Sequence, residues 1–467
     1  MTSGMPLFFD VVGIFFILYM FGYASFLFLS VTVGSSALYK NQQRAQLKSE
    51  LAGDYYVPVT IIVPAYNEAV TICSSIQSLL ALEYKLYEIV VVDDGSTDDT
   101  ARVLCETFHL RPVNRPIQRK IPCQQVEAVF EGHHNKVPIA LIRKANGGKA
   151  DALNMGINAA KYPYFICMDA DSVLQRDALE RIVRPVLEEG SVIAVGGAVR
   201  PCNGVEIRDG QVVSYHMPHK LLPCMQVLEY DRSFLAARIL FDKFNGSIII
   251  SGAFGLFRKN LVIDAGGYDT STMGEDMELV VKLHVFCRDH GIPYRLRYAT
   301  DAICWTQVPE HLDDLCRQRR RWHIGLFQSM GRHRRVFGHP KYGLVGFVSY
   351  LYFLIYELFS PYIELFGLFT VALAFWVDLI NVPFMILFFF IYVVYSAILS
   401  LTAFFARTHT ADLHLTPGDV CKAIMLCAVE VSFLRLILAW VRATSLIGYR
   451  RKKADWGTIT RRDIKFQ

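Results

Sequence analysis

Two carboxylates one residue apart, Asp169 and Asp171, follow the apolar run Tyr164–Met168. Acidic oxygens at the carboxyl end of a strand suit Mg2+ or Mn2+, which bind one or two carboxylates and take further ligands from substrate phosphates. The same pair would also serve as an ordinary surface turn. Further on, Gly274-Glu275-Asp276 opens the helical stretch Met277–Phe286. Acids at such a position are favoured by the helix dipole in any protein. The chemical reading makes one of the pair, Asp276, a general base that takes a proton from an acceptor hydroxyl. The run Asn146-Gly147-Gly148-Lys149-Ala150-Asp151 also opens a helix, where glycines let the backbone approach a ligand and Lys149 can reach a diphosphate. It lacks the P-loop order of glycines, lysine and hydroxyl residue, which argues against a nucleoside triphosphatase. Val63-Pro64-Ala65-Tyr66-Asn67-Glu68 and Asp93-Asp94-Gly95-Ser96 each end an apolar run. A carboxylate beside a turn glycine can accept hydrogen bonds from a uracil ring or a ribose, or it can simply cap a helix. Last, Gln318-Arg319-Arg320-Arg321-Trp322 sets cations beside an indole. That is either a basic helix with an interfacial tryptophan, or an arginine clamp on pyrophosphate with a flat platform for a sugar.

These segments need a scaffold. Between about residue 55 and residue 336 short β-branched runs alternate with helical stretches, an α/β signature. Val59–Pro64, Glu88–Val92, Ile139–Arg143, Tyr164–Met168 and Val192–Gly196 read as strands, with Asn67–Leu80 and Thr97–Phe108 as helices between the first three. The alternation predicts a parallel sheet whose ligands lie beyond the carboxyl ends of the strands. Pro201–Pro223, with Asn203-Gly204 and Asp209-Gly210 turn signals, reads as an inserted hairpin or loop. Trp305 either lines a donor pocket or packs beneath it. The 11 cysteines form no CxxC pair, which suits a reduced compartment, and His284, Cys287 and His290 read as a helix surface rather than zinc ligands.

The 467 residues are 53% hydrophobic and only 19% charged, with a mean hydropathy of +0.29. This excludes a disordered, collagen-like or small secreted chain. The uncharged runs Val11–Tyr39 and Leu379–Ala406 each exceed the roughly 20 residues that a helix needs to cross a bilayer. Basic residues flank the apolar runs: Lys40, Arg44 and Lys48 follow the first, and residues 317–341 hold eight Lys or Arg without an acid. Their placement implies positive-inside topology and anionic lipid headgroups as partners rather than nucleic acid. No Lys or Arg precedes Lys40, so the first run reads as a signal anchor with its N-terminus outward. Gly343–Trp376 is too long for one straight span and is expected to break near Ser360-Pro361, and Ala423–Val441 carries Glu430 and Arg435 within an apolar block. The basic Arg450–Lys453 favours a cytoplasmic C-terminus, which requires one of the apolar blocks to split or to lie along the membrane. The expected organisation is a transmembrane helix at 8–36, a cytoplasmic domain at 55–336, transmembrane and interfacial helices at 343–445 and a basic tail at 446–467.

Taken in order, Val63–Glu68, Asp93-Asp94-Gly95, Gly147-Gly148-Lys149, Asp169-Ala170-Asp171, Gly274-Glu275-Asp276 and Gln318–Trp322 resemble the motifs of membrane-integrated family-2 glycosyltransferases. Cellulose, hyaluronan, chitin and poly-N-acetylglucosamine synthases belong to that family. The resemblance implies an α/β GT-A (Rossmann-like) domain inserted between transmembrane α-helices in the cell (inner or plasma) membrane. It implies donor and nucleotide binding by Ala65, Tyr66, Glu68, Asp94, Lys149, Asp169 and Arg321. Asp169 and Asp171 would hold Mg2+ or Mn2+, Gln318 and Trp322 would meet the acceptor, and Asp276 would be the base, with Glu275 beside it. The implied reaction is inverting transfer of a sugar from a UDP-sugar donor to a polysaccharide acceptor growing by β-linkages, coupled to secretion and served by a secretion partner subunit. One alternative is transfer of a single sugar to a lipid carrier; another is a silent membrane subunit, against which the presence of Asp94, Asp169, Asp171, Asp276 and Trp322 argues. Gly274 stands where many such synthases carry Thr, and Ser251-Gly252-Ala253 departs from the Ser-Gly-Pro of hyaluronan and chitin synthases.

Overall fold

The computed structural model describes residues 4–48, 56–208, 210–410, 413, 415–430 and 434–449. Helix α1 (Gly4–Lys48) precedes β1 (Val59–Ala65), α2 (Ile72–Leu80), β2 (Tyr87–Asp93), α3 (Thr100–Phe108), β3 (Arg111–Pro112), β4 (Val126–His134) and β5 (Val137–Lys144). Then come α4 (Lys149–Ala159), β6 (Tyr164–Cys167), β7 (Ser172–Leu174), α5 (Ala178–Glu188), β8 (Val192–Pro201), β9 (Val205–Arg208) and β10 (Gln211–Tyr215). Helix α6 (Leu221–Glu229) continues through a π-helical turn, Tyr230–Ala236, into α7 (Ala237–Lys243); β11 (Gly255–Arg258), α8 (Lys259–Asp264), α9 (Glu275–Asp289), β12 (Arg295–Thr306) and α10 (Leu312–Arg332) complete the domain.

The sheet has 10 strands in the order β3-β4-β5-β2-β1-β6-β11-β8-β12-β7. Its centre is parallel: β1 pairs with β2 and β6, and β2 with β5. Strands buried on both faces read as continuous apolar runs, and β1 shows why. Its Ile61 and Val63 pack with Ile76, Leu104 and Ile182 from α2, α3 and α5 on one face, while Ile62 packs with Leu153, Val280 and Leu283 from α4 and α9 on the other. The expectation of a wholly parallel sheet is corrected at β4, β7 and β11, which run antiparallel to their neighbours. Two helices also start later than the periodicity suggested. Asn67 takes a left-handed backbone (φ 55) and its side chain accepts from the Thr97 N–H at 2.8 Å, so 67–71 is loop before α2. Ser96 donates its N–H to Asp93 Oδ1 at 3.0 Å, and Asp98 accepts from the Thr100 N–H at 3.0 Å, which ties 96–99 into turns before α3. The segment 201–223 is indeed a hairpin, β9 with β10, whose end leads into α6.

Beyond α10 lie α11 (Tyr350–Tyr352), α12 (Ser360–Trp376), α13 (Val382–Thr410), α14 (Pro417–Val429) and α15 (Arg435–Ser445). Among the described residues two helices are long and apolar enough to cross a membrane, Leu7–Gln42 and Val382–His409. Val345–Leu358 and Ser360–Trp376 form a third apolar stretch bent by 47° at the expected break. Pro361 sits in the first turn of α12, where its missing N–H costs no helical hydrogen bond. The last apolar block falls in α14 and α15, on either side of residues 431–433, which lie outside the described residues. Its charges are paired: Glu430 with Arg232 at 2.7 Å and Arg435 with Glu364 at 2.7 Å. The stretch Arg450–Lys453 and most of the basic tail lie outside the described residues.

Candidate functional site

The carboxyl ends of β1, β2 and β5 meet at Asp94. Its N–H donates to the Ala65 carbonyl at 2.9 Å, while its carboxylate accepts from the Gly147 N–H at 3.0 Å and the Gly148 N–H at 2.7 Å and pairs with Lys144. Burial pushes the Asp94 pKa up, and Lys144 and the two N–H groups pull against that rise. Two of the three glycines at this junction, Gly95 (φ 74) and Gly148 (φ 86), hold left-handed backbones that L side chains rarely adopt. Helix capping does not explain Asp94, because the N-cap of α3 is Asp99. Lys144, which the motif reading passed over, is fully buried and bridges Asp94 to Asp151 at 2.7 Å. Glu68 is buried, accepts from the Thr71 hydroxyl at 2.8 Å and donates its N–H to Thr100 at 2.9 Å. Ala65 is buried at the strand end, whereas Tyr66 is half exposed at the rim.

The strand-end carboxylates and the start of α9 converge on one ammonium. Lys149, the first residue of α4, pairs with Asp169, and its Nζ lies 3.7 Å from Glu275 Oε1. Burial alone would lower the Lys149 pKa; Asp169, Glu275 and Asp276 outweigh it and hold the pKa above the ordinary lysine value. Burial raises the Glu275 pKa, Lys149 opposes, and the neighbouring Asp276 adds to the rise. Asp276 accepts the Gly252 N–H at 3.3 Å. A Cβ on Gly252 would lie 3.4 Å from Lys149 Nζ and 3.6 Å from Asp276 Cβ, so the 251–253 loop floors this cluster through a residue without a side chain. Asp171 is pushed up to about 6 by burial and by the charge of Asp169, with Lys149 and Arg321 pulling the other way. Two carboxylates at a strand end supply the hard oxygen ligands that suit a divalent cation. Among the described residues no group of three or more His, Cys, Asp or Glu side chains is arranged to hold a metal ion by itself.

At the far side, α10 carries the Gln318–Trp322 segment. Trp322 is 37% exposed, meets Phe234 edge-on at 6.0 Å, and lies under the Arg319 guanidinium at 4.3 Å. Arg319 in turn pairs with Glu229 at 2.7 Å, a buried cation that the sequence motif did not single out. Gln318 is half-buried, with its Oε1 lacking a hydrogen-bond partner. Trp305 is buried and packs with Val173, Ile207 and Tyr215. His284 and Cys287 are buried rather than on a helix surface: the His284 Nε2–H donates to the Ser247 carbonyl at 2.8 Å and Nδ1 accepts from the Tyr294 hydroxyl at 2.7 Å. The sequence signal was already present, since positions 284 and 287 continue the apolar stripe of α9.

A family profile described as Glycosyltransferase like family 2 matches residues 57–325, which contain every one of these motifs. The chain belongs to glycosyltransferase family 2. With that membership the mixed α/β domain is of the GT-A class that the motifs implied. The poly-β-1,6-N-acetyl-D-glucosamine synthase of Staphylococcus aureus (strain COL) is 31% identical over 279 residues, 60% of this chain and 57% of that protein. The synthase of the same name from Staphylococcus epidermidis is 31% identical over 268 residues, 57% of this chain and 54% of that one. The match therefore spans little more than half the length of these relatives. Among solved structures, a mannosyltransferase from Pyrobaculum calidifontis in complex with GDP-Man and Mn2+ aligns over 92% of this chain and 99% of its own, at 18% identity and a TM-score of 0.48.

Proposed function

We propose that this family-2 glycosyltransferase is a membrane enzyme that transfers a sugar from a UDP-sugar to a growing β-linked polysaccharide, with inversion at the anomeric carbon. The observation that carries this reading is the convergence of three distant motifs on one ammonium: Lys149 reaches Asp169 and Glu275, and Asp276 lies across Gly252 from it. The names of the relatives support the polysaccharide product.

In this mechanism Asp276 takes the proton from an acceptor hydroxyl, whose oxygen attacks C1 of the donor sugar as the C1–O bond to the diphosphate breaks. UDP leaves with both electrons of that bond. Lys149 and Arg321 stabilise its charge, and Asp94 with the Gly147-Gly148 backbone frames the nucleotide alongside Ala65, Tyr66 and Glu68. Asp169 and Asp171 would hold Mg2+ or Mn2+, which when bound neutralises charge on the leaving diphosphate. Trp322 offers the acceptor sugar a flat apolar face, with Gln318 beside it.

The α/β domain at 55–336 faces the cytoplasm of the cell in this reading, the helices at 8–36 and 343–445 anchor it in the membrane, and the polymer leaves by way of the membrane helices that follow Trp322. Secretion coupling, with or without a partner subunit, belongs to the same proposal.

The test is UDP release by the detergent-purified protein with Mg2+ or Mn2+ across a panel of nucleotide-sugars, beside Asp276→Asn. One UDP-sugar should turn over and give a long product, and the variant should lose on the order of 100- to 10,000-fold in rate while still binding UDP. A single-sugar lipid adduct would redirect the acceptor assignment, and turnover by the variant at the native rate would remove Asp276 as base.

A further inference from the structure

Arg200, at the end of β8, is 5% exposed, and its Nε and Nη1 are buried without a hydrogen-bond partner. Buried polar side chains are almost always satisfied, and a buried cation without acceptors is among the costliest groups a fold can hold. Its surroundings do not answer the need. Across the ladder to β12 it stands opposite Trp305, with the guanidinium 5.8 Å from the indole ring centre, and the Trp305 Nε1–H is also without a partner. Trp305 is opposite Val173 on β7, two residues beyond Asp171.

The charges that act on Arg200 are Arg407 from α13 and Asp231 from the π-helical turn, together with Tyr215 and Tyr298. Asp231 already pairs with Arg407, which also donates to the Tyr215 hydroxyl at 3.0 Å, while the second oxygen of Asp231, Oδ2, is buried and unpartnered. Two guanidiniums thus face one carboxylate, and Arg238, 5.9 Å from the Tyr298 ring, adds further positive charge at the edge. Burial and Arg407 push the Arg200 pKa down to about 9, and the opposing pull of Asp231, Tyr215 and Tyr298 does not make up the difference. The same π turn carries Phe234, which touches Trp322, so the cluster lies one turn from the acceptor platform.

We propose that Arg200, the Trp305 N–H and Asp231 form a binding site for a hydroxylated oxyanion, a phosphate monoester or a hydroxy-carboxylate such as a sugar acid. The oxyanion accepts from Arg200 and Trp305, and its hydroxyl donates to Asp231 Oδ2, so one ligand answers the unpartnered Arg200 nitrogens, the Trp305 N–H and Asp231 Oδ2. The site goes beyond the transfer chemistry and stands whichever sugar the donor carries.

The experiment follows the thermal unfolding of the full detergent-purified chain near neutral pH against inorganic phosphate and glucuronate, with chloride and sulfate at matched ionic strength. At least one of the two hydroxylated anions should raise the midpoint saturably by several degrees. Sulfate, which has no hydroxyl at this pH, should do so less. Arg200→Met should abolish the shift, and Arg200→Lys, which keeps the charge and guards against a variant that fails to fold, should retain part of it. The two arms separate a phosphate ligand from a sugar acid. No saturable rise with either anion, or the same rise in Arg200→Met, overturns the site; equal effects of sulfate and phosphate overturn the part given to Asp231.

Discussion

Gly274, which precedes the acid pair of α9, lies backbone to backbone against Gly325 of α10. A Cβ on Gly325 would come within 2.7 Å of the Gly274 Cα and nitrogen, and one on Gly274 within 2.9 Å of the Gly325 Cα. The helix that presents Trp322 and the helix that presents Asp276 are therefore set at a distance that only two glycines allow. The departure from Thr at position 274 has its reason here: the partner that a Thr side chain would strike is backbone, which cannot rotate aside.

Gly274→Thr should thus fail to restore the commoner motif. Overpacking of this kind costs about 1–3 kcal/mol, read as a lower denaturation midpoint, and the displaced Asp276 should cut UDP release at least tenfold. Gly325→Ala should act in the same direction from the other helix. Native activity in either variant would show that the crossing does not set the site's geometry.

His284 carries a pH dependence whose sign follows from its burial. Burial lowers its pKa to about 4 from the ordinary 6.5, so the folded state binds the proton less tightly than the unfolded chain. The stability from neutral His284 is present above 6.5 and is lost as pH falls toward 4; at pH 5 the loss is on the order of 2 kcal/mol at 1.36 kcal/mol per unit. The proton would go to Nδ1, which now accepts from Tyr294. Denaturation midpoints at pH 7 and pH 5 should differ less in His284→Phe than in the native protein, and equal pH slopes would contradict this.

Lys149→Met should remove charge stabilisation of the leaving diphosphate and the cation shared by Asp169 and Glu275. Loss of one such group costs about 100- to 1,000-fold in turnover, and UDP affinity measured by calorimetry should weaken as well. Lys149→Arg should recover only part, because a planar guanidinium does not fit where a point charge approaches Gly252 at 3.4 Å from a Cβ position. Turnover within a factor of two of native in Lys149→Met would remove this residue from the site.

Much of this arrangement could be read from residue order. Strand ends followed by Asp94, Asp169 and Gly147-Gly148 lie where an α/β sheet puts its ligands, since period and burial are local properties that the apolar runs record. What escaped the sequence was non-local. The antiparallel β11 depends on which strand it meets, and its four residues have no pattern of their own. The contact of Gly325 with Gly274 spans a fold-level crossing, and Arg200 at the end of β8 resembles any strand-end base until its burial is seen. Lys144 was hidden for the same reason, beside the more conspicuous Lys149.

Lys144 also offers the sharpest separation of framework from chemistry. It contacts the carboxylates of Asp94 and Asp151 from a fully buried position, and Asp94 in turn holds the Gly147 and Gly148 amides. Removing one partner of a buried ionic group typically costs 3–5 kcal/mol, so Lys144→Met should lower the denaturation midpoint steeply and loosen the 146–148 loop, weakening UDP binding. Adding Asp94→Asn and Asp151→Asn removes the orphaned charges and should return part of the stability. It should not return UDP binding, because an amide in place of the Asp94 carboxylate no longer accepts both glycine N–H groups equally well. Stability and nucleotide affinity should therefore part company in the triple variant. If both recover together, the network only supports the fold; if neither falls in Lys144→Met, the buried ammonium is not what joins the two loops.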